Sequence, residues 1–400
     1  MAAIAAASTG APVLLLERTR DGGRKILISG GGRCNILPSA LDPGRFVTDS
    51  SPHTLRKILA GWPHAQQRQF FEVDLGIPLA LEEESGKLFP RSNRARDIRD
   101  RLLSAAQERG ASLRFDVVVR DVVPERAGWR VHLEGAAPID AVAVVLATGG
   151  LSVPTTGSDG IGLAIARHLQ HDVHPLYPAL TPLTAAPAVH AALAGISLTV
   201  SIEGTRQGRR VAATGGFLFT HRGYSGPSVL DVSDIAVRSR LGGGPREELR
   251  VQWGTMDRAG WDARLQARGA QSVLTVLREQ LPVRLAELLL HEAGIEAALA
   301  VSQLARERRL ELLDLLTRYA LPWSGDEGYR KAEVTGGGVA LSEIHSSTME
   351  SRRHPGLFLC GEMLDAFGPI GGYNFAWAWA TGRAAGLGAA RYAASSAART

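Results

Sequence analysis

Long apolar runs are missing from this chain. Although 45% of its 400 residues are hydrophobic, no stretch approaches the ~20 apolar residues that a membrane-spanning helix requires, so a helical span is excluded. Cysteine is scarce too: Cys34 and Cys360 are the only two, which rules out a disulfide framework and fits a reducing, cytoplasmic compartment. Both lie beside glycine-rich motifs, which leaves a redox pairing open against the alternative of two inert core thiols. Among 45 basic residues only Lys25, Lys57, Lys87 and Lys331 are lysines. The net charge of +5 is modest and the arginines are dispersed; even the densest cluster, Arg91–Arg101, is interleaved with Asp97 and Asp100 and reads as a solvated helix face. A nucleic acid is therefore not an expected partner, because its footprint needs basic residues gathered on one face. No secretory signal is expected, since the alanine-rich Met1–Ser8 carries no positive charge at its start and Val13–Leu16 runs into an acid. No Gly-x-Gly-x-x-Gly turn is visible, which argues against a dedicated nicotinamide-binding domain. No metal site is expected.

What the chain does have is concentrated in Gly22–Asn35, Gly-Gly-Arg-Lys-Ile-Leu-Ile-Ser-Gly-Gly-Gly-Arg-Cys-Asn. Five glycines in fourteen residues predict a loop, because glycine costs too much entropy inside an element. Such a loop lets backbone N–H groups approach a ligand, while Arg24, Lys25 and Arg33 supply charge for an anionic one; the alternative is a solvent-exposed basic turn. The preceding segment reads as a short buried strand ending in Glu17, where a dinucleotide fold places the carboxylate that binds a ribose hydroxyl.

Together the two segments resemble the start of HI0933-like flavoproteins, also described as NAD(P)/FAD-dependent or aminoacetone-oxidase-family proteins. Lys87-Leu88-Phe89-Pro90 is similar to that family's pattern, as are Ala147-Thr148-Gly149-Gly150 after the apolar run Ala141–Leu146, Pro178–Leu183, the string Gly215–Pro227, Glu333–Val339 and Cys360–Asp365. The resemblance implies an α/β fold: a discontinuous FAD-binding Rossmann-like domain of the two-dinucleotide type, interrupted by a β-rich and helical insertion. The expected boundaries are 1–180 and 331–400 for the FAD-binding parts and 181–330 for the insertion, with a helical subdomain over about 272–319. Compared with the family, the first strand and its glycine turn are not in this chain. Either the start codon lies further upstream, or the pyrophosphate cradle has been lost.

Local expectations follow. Leu113–Val123 alternates like one strand, with Val119 the candidate for backbone contact to adenine. Ala141–Leu146 reads as a parallel strand covered on both faces, and the glycines after it let the chain pass close to a ligand beyond the strand end. Four prolines in Pro175–Pro187 mark a boundary. Ile196–Val211 reads as paired strands turning at Glu203-Gly204, and Gly242–Pro245 as a linker. His221 and Tyr224 lie in a loop that could face the flavin and are the catalytic candidates. At the far end, Asp365 is the first choice and Glu362 the second for ribityl or ribose hydroxyls. Gly371-Gly372-Tyr373-Asn374-Phe375 opens a helix to about Ala394, whose positive end would stabilise negative charge on the flavin; disorder is expected only from about Ala393. Ser29, Gly30, Gly31, Gly32, Cys34, Asn35, Thr148, Gly149, Gly150 and Gly361 complete the expected cofactor contacts.

The implied activity is that of an FAD-dependent oxidoreductase acting on a small organic substrate. Three readings stay open: an aminoacetone-type amine oxidase using oxygen, a reductase of conjugated steroid-like ketones at which NAD(P)H docks transiently, and a non-catalytic scaffold or RNA-associated protein.

Overall fold

The computed structural model describes residues 1–398 apart from 127, 244 and 267–269. The chain folds as two compact units, Met1–Tyr177 with Glu333–Thr400, and Pro178–Ala332. In the first, α1 (Ala2–Ala7) leads into β1 (Val13–Leu16), which pairs in parallel with β2 (Ala111–Arg114) from Val13 against Ala111 to Leu16 against Arg114. Further along, β3 (Val144–Leu146) is followed by α2 (Ile161–His168), β4 (Leu357–Leu359) and the 25-residue α3 (Tyr373–Ala397). The strand β4 runs parallel to β3. Alanine and glycine explain the close seating of α1 on α3: a Cβ on Gly386 would come within 2.2 Å of the Ala2 carbonyl oxygen.

Several expectations need correction. Leu113–Val123 is not one strand: Asp116, at φ 57°, breaks it, and Val119–Glu125 joins Gly128–Leu133 and Ile139–Ala141 in an antiparallel meander. The same meander takes the front of Ala141–Leu146, leaving only Val144–Leu146 for β3. Gly22–Asn35 is not all loop, because its five glycine-free residues Arg24–Ile28 form a helix. The left-handed Gly22 and Gly23 bracket that helix on one side and Gly30, Gly31 and Gly32 on the other. The expected disordered tail continues α3 to Ala397. Trp377 and Trp379 are buried in that helix, and their indole N–H groups donate to the carbonyls of Gly361 at 3.0 Å and Ile36 at 3.2 Å.

The second unit is a seven-stranded sheet with helices. Its long hairpin, Ser197–Arg206 with Arg209–Phe219, turns at Gln207-Gly208, both left-handed, as a two-residue hairpin requires. Glu203-Gly204 lies inside the strand. There Gly204 makes room for Leu249 and Ile235, the former only 2.8 Å from where a Cβ would stand. Gly215–Pro227 comprises the end of that hairpin, a turn that carries His221, the short strand Gly223–Ser225 and the start of the helix Pro227–Leu241. Of the expected linker Gly242–Pro245, Gly244 lies outside the described residues. Most leucines of 272–319 are core, with Leu277, Leu285, Leu289, Leu312 and Leu316 all fully buried, while Leu310 is 41% exposed.

One feature of this unit titrates. His190 is buried, accepts or donates at 3.0 Å to both Tyr224 and Tyr319 through its two ring nitrogens, and Tyr319 donates to Glu292 at 3.1 Å. Burial pulls the imidazole down to about 4. Between pH 6.5 and 4 the unfolded chain therefore binds a proton that the folded one does not, so stability falls as pH drops through that window and levels off below it. The expected loss is about 3 kcal/mol, read as an acid-side shift in thermal midpoint that the His190→Gln variant flattens.

Candidate active site

A cavity of about 810 Å³ runs along β1 and β3 in the first unit. Its far end lies at the carboxyl ends of both strands, where open parallel sheets bind ligands, and is lined there by Glu17, Arg24, Lys25, Thr148, Gly149 and Glu362, with Val119 on the meander. Glu17 is held by Thr19, whose backbone N–H and hydroxyl both donate to Oε1 at 2.7 Å. Its other oxygen, Oε2, has no hydrogen-bond partner among the described residues, so it can accept from a ligand hydroxyl.

Beside it stands a polar cluster built from four distant segments. Lys25 Nζ donates to Glu362 Oε2 at 2.7 Å and also to Ser152 Oγ. Glu362 Oε1 accepts from Ser152 Oγ at 2.7 Å and from the Thr335 N–H at 2.9 Å. Thr335 Oγ1 in turn accepts from the Leu151 N–H at 2.7 Å. Gly150 is what lets these segments meet, since a Cβ there would lie 2.3 Å from Thr335 Oγ1 and 2.9 Å from Glu362 Oε1. Next to Glu362, the Gly361 N–H donates to Thr381 of α3 at 2.9 Å, and nothing lies within 4 Å of where a Gly361 Cβ would be. Segments near residues 25, 150, 361 and 377 thus converge within one unit.

The model of the HI0933-like protein Rossmann domain matches residues 1–388. The chain belongs to the HI0933-like family. Its relatives include the ribosomal RNA dihydrouridine synthase of Escherichia coli (strain K12), 33% identical over 380 residues, 94% of this chain and 91% of that protein. The namesake synthase of Haemophilus influenzae is 32% identical over 392 residues, 96% and 94% of the two chains. The 3-dehydro-bile acid delta(4,6)-reductase of Clostridium scindens is 31% identical over 400 residues, 98% and 96%. This HI0933-like protein is an FAD-dependent oxidoreductase with a mixed α/β Rossmann-type domain.

The remaining sequence-predicted residues divide sharply. In the HI0933-like string, Arg24 is paired with Asp21 at 2.8 Å, and Arg33 does not line the cavity: it pairs with Glu82 at 2.9 Å and lies 4.1 Å over the Phe89 ring. Ser29 spends its hydroxyl on the Ile26 carbonyl. Ser29, Gly30, Gly31, Gly32, Cys34 and Asn35 stand apart from the lining. Burial pushes the Cys34 thiol up to about 11 and the Cys360 thiol up to about 12, and both are free, which is the state of core thiols rather than a reactive pair.

Asp365 and Glu362 exchange places. Asp365 is buried, and its Oδ2 already accepts from Ser50 N and Oγ at 2.7 Å, Thr48 Oγ1 at 2.9 Å and Asp49 N at 3.0 Å; it pins the 48–50 turn, while Glu362 reaches the cavity. At the start of α3, Gly372 fits because its φ is 98° and a Cβ would sit 2.4 Å from the Leu37 carbonyl carbon. Gly371 adjoins it. Asn374 clamps Gly368 through N–H and C=O at 2.9 and 3.0 Å, Tyr373 donates to Ala40, and Phe375 stacks on Trp379 at 5.2 Å. These side chains hold the helix start in place and leave its backbone N–H groups as what it can offer a ligand.

His221 is exposed on the second unit. Tyr224 is fully buried in that unit's core, its hydroxyl engaged by His190 and the Pro322 carbonyl at 3.3 Å, and burial drives its pKa upward. A phenol so enclosed cannot act as a proton donor to a ligand. Sequence reading passed over Ser152, just beyond the Ala147–Gly150 motif, Thr335, inside Glu333–Val339, and His190, which no local signal marks.

These residues fit an adenine dinucleotide at two points: Glu17, which lines the cavity, has Oε2 left to accept from a ribose hydroxyl, and the strand carrying Val119 borders the same cavity. With Glu17 replaced by alanine, we expect the dissociation constant for FAD to rise about 10- to 100-fold, the worth of one charge-assisted hydrogen bond. Flavin fluorescence titration measures it, with the circular dichroism spectrum unchanged.

Proposed function

We propose that this protein uses FAD to reduce a carbon–carbon double bond conjugated to a carbonyl. The observation that carries this reading is the agreement between relatives that span nearly the whole chain at 31–33% identity. A dihydrouridine synthase and a delta(4,6)-reductase both, by name, saturate such a bond, in a uracil ring in one case and a steroid-type ring in the other. Once reduced, bound FAD would supply the two electrons as a hydride to one carbon of the double bond, and the other carbon would take up a proton from solvent. Glu17 would hold the ribose, and the Lys25–Glu362–Ser152 cluster would keep a fixed charge pair and hydrogen-bond donors at the carboxyl end of the sheet. The reducing equivalents would come from NAD(P)H docking transiently, which fits a sequence in which no Gly-x-Gly-x-x-Gly turn is visible. None of the three names describes an oxidase, so the aminoacetone reading ranks second.

The test is direct. Protein purified with added FAD is reduced anaerobically with NADPH, then mixed with ribosomal RNA, a 3-keto-Δ4 steroid or aminoacetone plus oxygen. Rapid reoxidation of the 450-nm absorbance by RNA or steroid is expected, with RNA the leading acceptor because two of the three relatives act on it by name. Oxygen uptake with aminoacetone and no reoxidation by either conjugated acceptor would overturn the reading, and absence of any flavin binding would favour the scaffold.

A further inference from the structure

A second cavity of the first unit, of about 210 Å³, shares no lining residue with the one along β1 and β3. It lies where α1, α3, the segment 64–74 and the carboxyl end of the helix Ala95–Glu108 come together. Ile4, Phe70 and Leu387 give it an apolar wall. Two guanidiniums, Arg109 and Arg383, and one carboxylate, Asp74, line the same space.

The two arginines are held in place without being neutralised. Arg109 Nη1 donates to the Ala105 carbonyl at 3.0 Å, and the Arg383 guanidinium lies 5.1 Å from the centre of the Trp62 ring. Both are half-buried, and among the described residues neither has an acidic partner within ion-pair distance. Other half-buried arginines of this unit do have one, Arg24 in Asp21 and Arg101 in Glu108. Like charges that share a small space repel unless counter-charge joins them. Asp74 is exposed and offsets one of the two, so one positive charge is left over. The backbone at the wall is unusual as well. The Leu75 N–H donates to the Phe70 carbonyl, five residues back, at 2.9 Å, which makes Phe70–Asp74 a π-helical turn. Single turns of this kind are rare and frequently mark functional sites.

From this arrangement we infer that the second cavity binds a small organic monocarboxylate with an apolar body, its carboxylate between Arg109 and Arg383 and its hydrocarbon against Ile4, Phe70 and Leu387. One negative charge completes the balance. The planar guanidinium fork matches a carboxylate, and two forks can hold it from two sides. A space of about 210 Å³ falls below the ~300–1,000 Å³ of drug-sized pockets, so the occupant has on the order of ten non-hydrogen atoms. An inorganic anion would leave the apolar wall wet, and a plain hydrocarbon would leave the cations unpaired. The inference is independent of the reduction chemistry.

Calorimetry and saturation-transfer NMR on the full chain, with and without added FAD, test it with benzoate and hexanoate as probes. A dissociation constant of about 1 mM or tighter is expected. Acetate, which lacks the apolar body, and inorganic phosphate, which offers charge alone, should bind at least about 10-fold more weakly. Arg109→Met and Arg383→Met should each weaken benzoate binding about 10-fold or more with an unchanged circular dichroism spectrum, whereas Arg383→Lys keeps the charge without the fork and should keep part of the affinity. Asp74→Asn should tighten binding, because it removes a like charge. The thermal midpoint of the unaltered chain should rise with benzoate concentration, and that of the Arg109→Met variant should not. Benzoate binding that survives both arginine substitutions, phosphate binding as tight as that of benzoate, weaker binding in Asp74→Asn, or no saturable binding of either probe would each overturn the assignment.

Discussion

Replacing Gly150 by alanine should cost the first unit about 2–3 kcal/mol and weaken its hold on FAD, the larger part by overpacking. The new methyl would stand 2.3 Å from Thr335 Oγ1 and 2.7 Å from its Cβ, and neither can swing away. Thr335 is buried, and its hydroxyl and N–H are engaged by Leu151 and Glu362. Relief would have to come from parting the Ala147–Gly150 turn from Glu362, which opens the cluster at the cavity wall. The thermal midpoint is expected to fall by about 4–12 °C for a unit of this size. The decisive control is Gly150→Ala combined with Thr335→Gly, which removes the two nearest colliding atoms and leaves only the 2.9 Å contact with Glu362 Oε1; it should recover part of the midpoint. If the double variant is no more stable than the single one, the steric account is wrong.

Glu362→Ala should produce the second large effect. It removes the acceptor of the buried Thr335 N–H and the counter-charge of Lys25. An orphaned buried donor costs about 1–3 kcal/mol. The lysine adds little, because its side chain is 30% exposed and water can take over part of the lost pairing. Together about 1–4 kcal/mol is expected. Glu362→Gln keeps an acceptor at the Oε1 position and should lose far less stability. Lys25→Met should resemble the glutamine variant. Chemical denaturation followed by flavin fluorescence separates the three, and equal losses for the alanine and glutamine variants would show that the Thr335 hydrogen bond is not what matters.

How legible the site was depended on whether a residue acts through its backbone or through its side chain's neighbours. Gly149, Gly150, Gly361 and Gly372 stood out in the sequence because strand-end glycines have few other uses, and Glu17 because an acid at the end of an apolar run is conspicuous. The choice between Glu362 and Asp365 was not legible: three residues apart, they differ only in that the 48–50 turn reaches one of them. Tyr224 sat in a motif that looked like a loop, yet the register of Arg209–Phe219 with Gly223–Ser225 turns its ring into the core. Arg33 resembled an anion ligand until Glu82, nearly fifty residues away, proved to be its partner.

By itself the amino-acid order determined the class of fold and the interruption of one unit by another. Those properties reside in local chemistry: apolar runs that end in glycine, prolines that end a unit, a family pattern spread over the chain. Only the tertiary structure decided which carboxylate faces the cavity, which cations are already neutralised, and that two pairs of parallel strands face one another across an open slot. Such outcomes depend on contacts between segments hundreds of residues apart, where a difference of one hydrogen-bond partner redirects a side chain and leaves no trace in its neighbours along the chain.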